Sequence, residues 1–242
     1  MKLANARGSP LFSATLLVIV TCVSFAAFAQ CDRDKQQQAI DALGMQVKVR
    51  FGGNQVPSSI EGQIAQRSSS DPDESALAAI RTIADVYCVS DDDDFAIAGT
   101  RLPKDDLGPT DVIIHQTFRG IQVIGPSLTV HLTHDSVTSV WGSFRPGIRV
   151  PTDPLLTTDD AVRIALQFVA NQHEINGTLK QVRVPVVFVD DRDKPHLAYP
   201  VRVAYWIDSK NRYTGGRHLD DIFVSAMTGR VVGVNPLIHK DP

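Results

Sequence analysis

A run of β-forming residues between positions 111 and 144, interrupted at short intervals by turn residues, most constrains the fold of this chain. Turn residues at such short spacing between apolar β-formers predict an antiparallel meander. Leu128, Val130 and Leu132 alternate with polar residues, so we expect one buried face and one polar face. The interruptions are Arg119-Gly120, Gly125-Pro126 and His134-Asp135-Ser136, which place four strands at 112–118, 121–124, 127–133 and 137–144.

Residues 1–29 have the pattern of an export signal. Lys2 and Arg7 form a positive n-region, an apolar run follows, and Ala27-Phe28-Ala29 is a small-x-small cleavage site. We therefore expect an exported protein, periplasmic or extracellular, with no stable membrane insertion once the signal is removed. The apolar run approaches the length of about 18 residues that spans a bilayer, so an uncleaved anchor stays open as the alternative.

The charge of the mature chain argues against nucleic acid as a partner, and its cysteine content predicts a disulfide. Removing the signal takes two of the 24 basic residues and none of the 27 acidic ones, which leaves a net charge of −5. Without a basic patch, the sequence gives no indication of nucleic-acid binding. Cys22 leaves with the signal, and the remaining pair, Cys31 and Cys88, predicts a disulfide in an oxidising compartment, with two free thiols as the alternative.

Two helices have clear start signals. Asp71 is a candidate N-cap with Pro72 at the first helical position, and an apolar face follows to a predicted end near Cys88. Thr157 caps a second helix, whose first turn contains Asp159 and Asp160. Between the meander and this second helix, the proline-rich segment 146–154 predicts a linker.

The region after the second helix predicts another antiparallel sheet. A strand at 182–189 contains Pro185, which indicates an edge or a bulge. A strand at 197–207 follows, and a hairpin at 222–234 turns at residues 227–230. The apolar residues expected on one face of the long strand are Leu197, Tyr199, Val201, Val203, Tyr205 and Ile207.

The meander is similar to the strand core of the fungalysin/thermolysin propeptide (FTP) domain. This resemblance rests on His115-Gln116, Arg119-Gly120-Ile121-Gln122-Val123, Gly125, Val130-His131-Leu132 and Val137-Thr138-Ser139-Val140-Trp141-Gly142. The region after the linker resembles a PepSY domain. That resemblance rests on Thr157-Thr158-Asp159-Asp160-Ala161, Leu197-Ala198-Tyr199-Pro200-Val201-Arg202-Val203 and the run from Phe223 to Val232, where Ser225 replaces the family's usual aspartate.

Together, these patterns predict an α+β fold of two units, each a helix packed on an antiparallel β-sheet. The expected boundaries are 1–29 for the signal, 30–145 for the FTP-like domain and 146–154 for the linker. The PepSY-like domain, with a C-terminal tail, then occupies 155–242.

The sequence contains no assembled catalytic or cofactor site, so we expect neither an enzyme nor a bound cofactor. A zinc peptidase needs two histidines one helical turn apart around a glutamate, and His173-Glu174 lacks the second histidine. His131 and His134 are expected on opposite strand faces. The acidic run 91–94 predicts a solvated loop rather than a calcium site, since calcium loops alternate their ligands. Trp141 and Trp206 are expected to be covered by a helix, with an exposed binding surface as the alternative.

The two resemblances imply a secreted, non-catalytic regulator of a thermolysin-like zinc metallopeptidase, acting as an inhibitor, a folding assistant or both. In such zymogens the propeptide covers the active-site cleft and its C-terminal segment approaches the zinc. The corresponding partner-binding residues here are Asn235, Pro236, Leu237, Ile238 and His239. The alternative is an envelope-associated PepSY-type binding module that is unrelated to proteolysis.

Overall fold

The computed structural model describes residues 31–53, 55–103, 108–173, 176–207 and 216–240. The expected signal at 1–29 lies outside these residues. The helices are α1 (Arg33–Ala42), α2 (Pro72–Thr82) and α3 (Thr158–His173), and a 3-10 helix spans Ala84–Tyr87. The strands are β1 (Lys48–Phe51), β2 (Pro57–Gln66), β3 (Asp93–Arg101), β4 (Thr110–Phe118), β5 (Ile121–Leu132), β6 (Ser136–Gly142), β7 (Thr178–Val182), β8 (Val186–Val189), β9 (Pro195–Ile207), β10 (Gly216–Ser225) and β11 (Val231–Lys240).

The two predicted helices begin at their predicted caps. The Asp71 side chain accepts a hydrogen bond from the Asp73 amide, which satisfies one of the free amides at the start of α2. Before α3, Thr157 and Asp160 bond reciprocally, each side chain accepting from the other's backbone amide. The first helical segment ends at Thr82 rather than near Cys88, and the 3-10 helix completes it. Helix α1 was not predicted, because its sequence is almost entirely polar.

The first six strands form the antiparallel order β3–β4–β5–β6–β2–β1. Helix α2 packs on one face of this sheet. Its Ala76, Ala79 and Ile80 are buried in the same cluster as Val112 of β4 and Val130 of β5. The predicted alternation of the meander is therefore confirmed, with Leu128, Val130 and Leu132 in the core.

One predicted turn of the meander is wrong. Gly125-Pro126 does not separate two strands but lies inside the continuous strand β5. Between Gln122 and Ser127, β5 bulges away from β4, and Gly125 has a φ of 108° that a side chain would disfavour. Pro126 has no amide hydrogen to donate, so it is tolerated at this interruption of the ladder.

The remaining strands form a second antiparallel region in which β9 pairs with β7, β8 and β10, and β11 pairs with β10. Val182 and Val186 fall in separate strands, so the predicted strand at 182–189 is interrupted around Pro185. The predicted face of β9 is confirmed. Its apolar residues share a cluster with Ala161, Ala165 and Val169 of α3.

The two regions are joined by backbone pairing. Val123 and Ile124 of β5 pair in parallel with Val187 and Phe188 of β8. Because β5 also pairs with β4 and β6, the described strands belong to one branched sheet of eleven strands. The α+β class is confirmed in this broad form, whereas the division into two units is not confirmed.

The segment predicted as a linker packs against this junction. Ile148 is buried with Phe118 of β4, Val123 of β5 and Val187 of β8. At the start of the segment, the Arg145 amide donates to the side-chain carbonyl of Gln116, whose own amide group donates to the Arg145 carbonyl. Because Gln116 is almost fully buried, these bonds fix the direction in which the chain leaves the first region.

Candidate functional site

The predicted partner-binding residues Asn235, Pro236, Leu237, Ile238 and His239 do not form a free tail. They lie in β11, where Asn235 pairs with Asp221 and Pro236 with Asp220 of β10. Among the described strands, β11 ends the sheet order and its outer edge is unpaired. The structure therefore gives the position of these residues, and their binding of a partner stays a prediction.

Strand β11 has the features of a protected edge. The register shifts between Leu219 and Asp220, which leaves Leu237 as the extra residue of a bulge, and Pro236 has no amide hydrogen. Two apolar side chains nevertheless face solvent: Val234 is 42% exposed and Leu237 is 37% exposed. Such an edge resists indiscriminate pairing while offering extended backbone and apolar contact area.

Directly behind this edge, Asp221 of β10 holds two arginines. Its carboxylate accepts from Arg202 Nε at 2.8 Å and Nη2 at 3.0 Å, and from Arg183 Nη2 at 2.9 Å. The Asp221 side chain is only 4% exposed. The hydrogen bonds that Arg202 donates to Asp221 raise the pKa of Arg202 above its ordinary value. A bidentate pair of this kind fixes the orientation of the arginine side chain and also compensates its charge.

The opposite face of β10 carries a second buried acid. Asp220 accepts a hydrogen bond from the Tyr205 hydroxyl through Oδ2, while Oδ1 is buried with no hydrogen-bond partner in the described part of the chain. Burial, together with this bond, raises the pKa of Tyr205 above its ordinary value. The ring of His218 stacks on the Tyr205 ring, with centroids 5.1 Å apart. Consecutive residues Asp220 and Asp221 thus place buried carboxylates on both faces of the strand that supports β11.

A separate cleft of ≈ 730 Å³ lies beside the segment that follows β6. We call it the linker cleft. Its walls come from that segment, from the β8–β9 turn and from the β10–β11 turn. The residues that define it are Arg149, Val150, Arg192, Lys194, Met227 and Arg230.

Within the linker cleft, Asp190 organises the β8–β9 turn. Its Oδ1 accepts from the amides of Arg192 and Lys194, each at 2.9 Å, and its Oδ2 bonds His196 Nε2 at 2.9 Å. These bonds, that of His196 first, lower the pKa of Asp190 to about 2.

The histidines singled out in the sequence do not converge on one point. His115 bonds Gln122 across the β4–β5 pair at 2.8 Å, and His131 bonds Asp111 at 2.6 Å. His134 bonds its neighbour Asp135 in an exposed turn. Glu174 lies outside the described residues. Leaving out the gaps in the described ranges, no group of three or more His, Cys, Asp or Glu side chains is arranged to hold a metal ion.

The acidic run 91–94 agrees only in part with the predicted solvated loop, since Asp91, Asp92 and Asp94 are exposed and Asp93 is not. Asp93 and Asp94 begin β3, and Asp93 is buried, where it accepts from the Ser90 hydroxyl and the Gln116 side-chain amide. Asp92 forms an exposed two-bond pair with Arg119. Each of these three carboxylates therefore accepts a hydrogen bond from a neighbouring side chain or backbone amide.

Two further predictions concern side chains at the surface and at the N-terminus. Trp141 and Trp206 are 44% and 55% exposed, so the expectation that helices cover them is wrong. The disulfide between Cys31 and Cys88 is present, with Cα atoms 5.2 Å apart. It joins the residue before the cap of α1 to the end of the 3-10 helix.

No family model matches the chain, and no curated protein matches it. Among solved structures, the chain is similar to the Bacillus megaterium YpeB C-terminal domain, with 14% sequence identity and a TM-score of 0.35. The similarity covers 87% of this chain and 99% of that one. A TM-score of this size marks only a distant likeness, so the FTP and PepSY resemblances stay predictions. None of the described helices is long and apolar enough to cross a membrane.

The sequence did not reveal the Asp221–Arg202–Arg183 group or the linker cleft. One signal for the first was present, because Asp220-Asp221 directly precedes the apolar run Ile222, Phe223 and Val224. Carboxylates that continue a buried strand need partners. The partners themselves are distant in sequence, and only strand register brings Arg202 opposite Asp221.

Proposed function

We propose that this chain is an exported, non-catalytic regulator of a thermolysin-like zinc metallopeptidase, acting by protein–protein contact as an inhibitor, a folding assistant or both. The family resemblances motivate the choice of partner. The single structural observation that supports contact is the unpaired outer edge of β11 with exposed Val234 and Leu237. The disulfide fits an oxidising compartment, as export requires.

Under this proposal, contact is made by a paired strand rather than by the C-terminal tail that the sequence predicted. Extended peptides bind edges and clefts through backbone hydrogen bonds, with alternate side chains giving specificity. Residues 235–240 already have extended backbone, and β10 holds them in place. A preordered strand loses less conformational entropy on binding than a free tail would. Under this proposal, β11 is presented to the peptidase as part of the sheet.

Deleting residues 235–242 would remove a paired strand, so a point variant tests the proposal better. We expect Leu237→Glu to weaken inhibition of a host thermolysin-like metallopeptidase by about tenfold, because a charge replaces an apolar contact at the centre of the surface. The measurement is a dose–response of peptidase activity with the full chain. Leu179→Glu is the matched control, since Leu179 is 40% exposed against 37% for Leu237 and lies in β7.

The proposal fails if the unmodified chain neither inhibits any secreted metallopeptidase of its host nor improves the refolding yield of one. Equal loss of inhibition in the Leu237→Glu and Leu179→Glu variants would show that β11 is not the contact surface. Exposed aromatic side chains at one pocket would favour the alternative, an envelope-associated binding module. Trp141 and Trp206 are exposed, but neither lines the linker cleft.

A further inference from the structure

We propose that the linker cleft is a binding site for an acidic peptide segment. The proposal does not depend on regulation of a peptidase. It rests on the cations that the cleft gathers, on the bonds that hold its walls, and on the mixed polar and apolar character of its surface.

Four cationic side chains from three separate segments line the cleft: Arg149, Arg192, Lys194 and Arg230. All four residues are exposed, and in the described part of the chain none of their side chains has a hydrogen bond or an ion pair within 4 Å. Several arginines elsewhere are matched, as in Arg50 with Glu61 and Arg163 with Asp160. Unpaired cations on several chain segments around one concavity favour an anionic ligand.

The carboxylates of the cleft do not neutralise these cations. Both oxygens of Asp190 are occupied by His196 and by the backbone amides of Arg192 and Lys194. Asp191 is exposed and is the other acid of the lining. Outside the lining, Asp92 is already paired, because Arg119 donates a hydrogen bond to it. That bond is the main cause of the lowered pKa of Asp92, and the charge of Arg149 lowers this pKa further. The cleft therefore keeps an excess of positive charge on a chain whose net charge is negative.

The walls of the cleft are fixed by bonds outside it. Arg145 Nη1 donates to Asp193 Oδ1 at 2.6 Å, and Nη2 donates to the Asp193 carbonyl at 2.9 Å. These bonds connect the start of the segment that follows β6 to the β8–β9 turn. The amides of Leu155 and Leu156 both donate to the Ala226 carbonyl at 3.0 Å, which ties the end of the segment to the β10–β11 turn. Cations held on fixed walls lose less entropy when they bind.

The surface between the cations selects a peptide over a small anion. The partly exposed apolar residues of the lining are Val150, Pro195, Met227 and Val232. Its volume of ≈ 730 Å³ lies within the roughly 300–1,000 Å³ of sites that enclose a drug-sized ligand. A free phosphate would contact the cations and leave the apolar wall in water. A short segment that alternates acidic and apolar side chains satisfies both.

The test is fluorescence anisotropy with a labelled peptide of alternating glutamate and leucine, set against the same peptide with glutamine in place of glutamate. The cleft variant combines Arg149→Gln, Arg192→Gln and Arg230→Gln. The control combines Arg50→Gln, Arg81→Gln and Arg163→Gln, which removes the same charge from three exposed sites. We expect the cleft variant to bind the glutamate peptide about tenfold more weakly and the control less than twofold more weakly, with affinity falling as salt rises.

Three results would overturn the proposal: equal binding of the glutamine peptide, equal weakening in both triple variants, or no binding at low salt. Vesicles of phosphatidylglycerol form a further arm. Vesicle binding that is stronger than peptide binding and lost in the cleft variant would assign the site to an anionic membrane surface instead. If the triple variant does not fold, the single variants Arg149→Gln and Arg230→Gln each remain expected to weaken peptide binding.

Discussion

At the scale of single residues, the molecule contains the same arginine–carboxylate geometry in two environments. Arg202 donates to Asp221 through Nε and Nη2, and Arg119 donates to Asp92 through the same two atoms. The Asp221 side chain is 4% exposed, whereas that of Asp92 is 49% exposed. Burial rather than geometry sets how much the loss of one partner costs in stability. Only in the buried pair does that loss leave a buried charge without a counter-charge.

We therefore expect Asp221→Asn to lower the free energy of unfolding by about 3 kcal/mol, since Arg202 and Arg183 lose their shared counter-charge. Asp92→Asn is the matched control and is expected to cost much less, because solvent screens the exposed pair. Urea unfolding of both variants measures the difference. Equal losses would mean that burial of Asp221 does not set the strength of its ion pairs.

A pH effect is expected from Asp190. Its pKa falls from 3.8 to about 2 on folding, so the ionised form stabilises the native state. That contribution is fully present above pH 3.8 and is lost as the pH falls toward 2. In urea titrations across this window, the stability gap between the wild type and Asp190→Asn should close. Asp191→Asn controls for removal of one charge in the same turn, and a gap that stays constant down to pH 2 would contradict the assignment.

At the scale of elements, β5 decides the architecture by changing partners. Its first residues pair with β8, and its last residues pair with β6. The change occurs where Gly142 of β6 opposes Leu128, and the Ser143 amide donates to the Ser127 carbonyl at 2.9 Å. Gly142 has a φ of 135°, and a Cβ there would overlap the Ser127 carbonyl oxygen.

Gly142→Ala should destabilise the fold by about 2 kcal/mol or more, because both the backbone angle and the contact with Ser127 would have to change. Gly99→Ala in β3 is the control, since a Cβ at Gly99 meets nothing within 4 Å. Thermal and urea unfolding of the two variants provide the comparison. A Gly142→Ala variant as stable as the Gly99→Ala variant would show that β6 shifts freely at this position.

Elements with a strong local pattern were predictable from the sequence, and elements that depend on distant partners were not. The cap at Asp71 and the alternation in β9 rest on residues close in the chain, and both are confirmed. Strand β3 was missed because carboxylates at its start oppose strand formation, and only Gln116 and Ser90 make Asp93 acceptable in the interior. The cations of the linker cleft come together only after three distant segments have folded.

At the scale of the whole molecule, the parallel pairing of β5 with β8 and the buried Ile148 make the two regions interdependent. A chain that ends at residue 145 would expose the edge of β5 at Val123 and Ile124, and it would uncover Phe118. Exposed apolar edges pair with other chains. We expect such a truncated protein to self-associate in light scattering, whereas the full chain with its disulfide intact should not. A monomeric, cooperatively unfolding fragment would support two independent units.

The β5–β8 junction also orders events in time. The hairpins β4–β5 and β10–β11 join residues that are close in the chain, so their loops close at little entropic cost. Val123 and Val187 can meet only after a long intervening segment has been brought into place. Contacts between distant residues slow folding. Synthesis from the N-terminus would therefore complete the first meander well before its β5 edge is covered, and that waiting period is when the nascent chain is most exposed to aggregation.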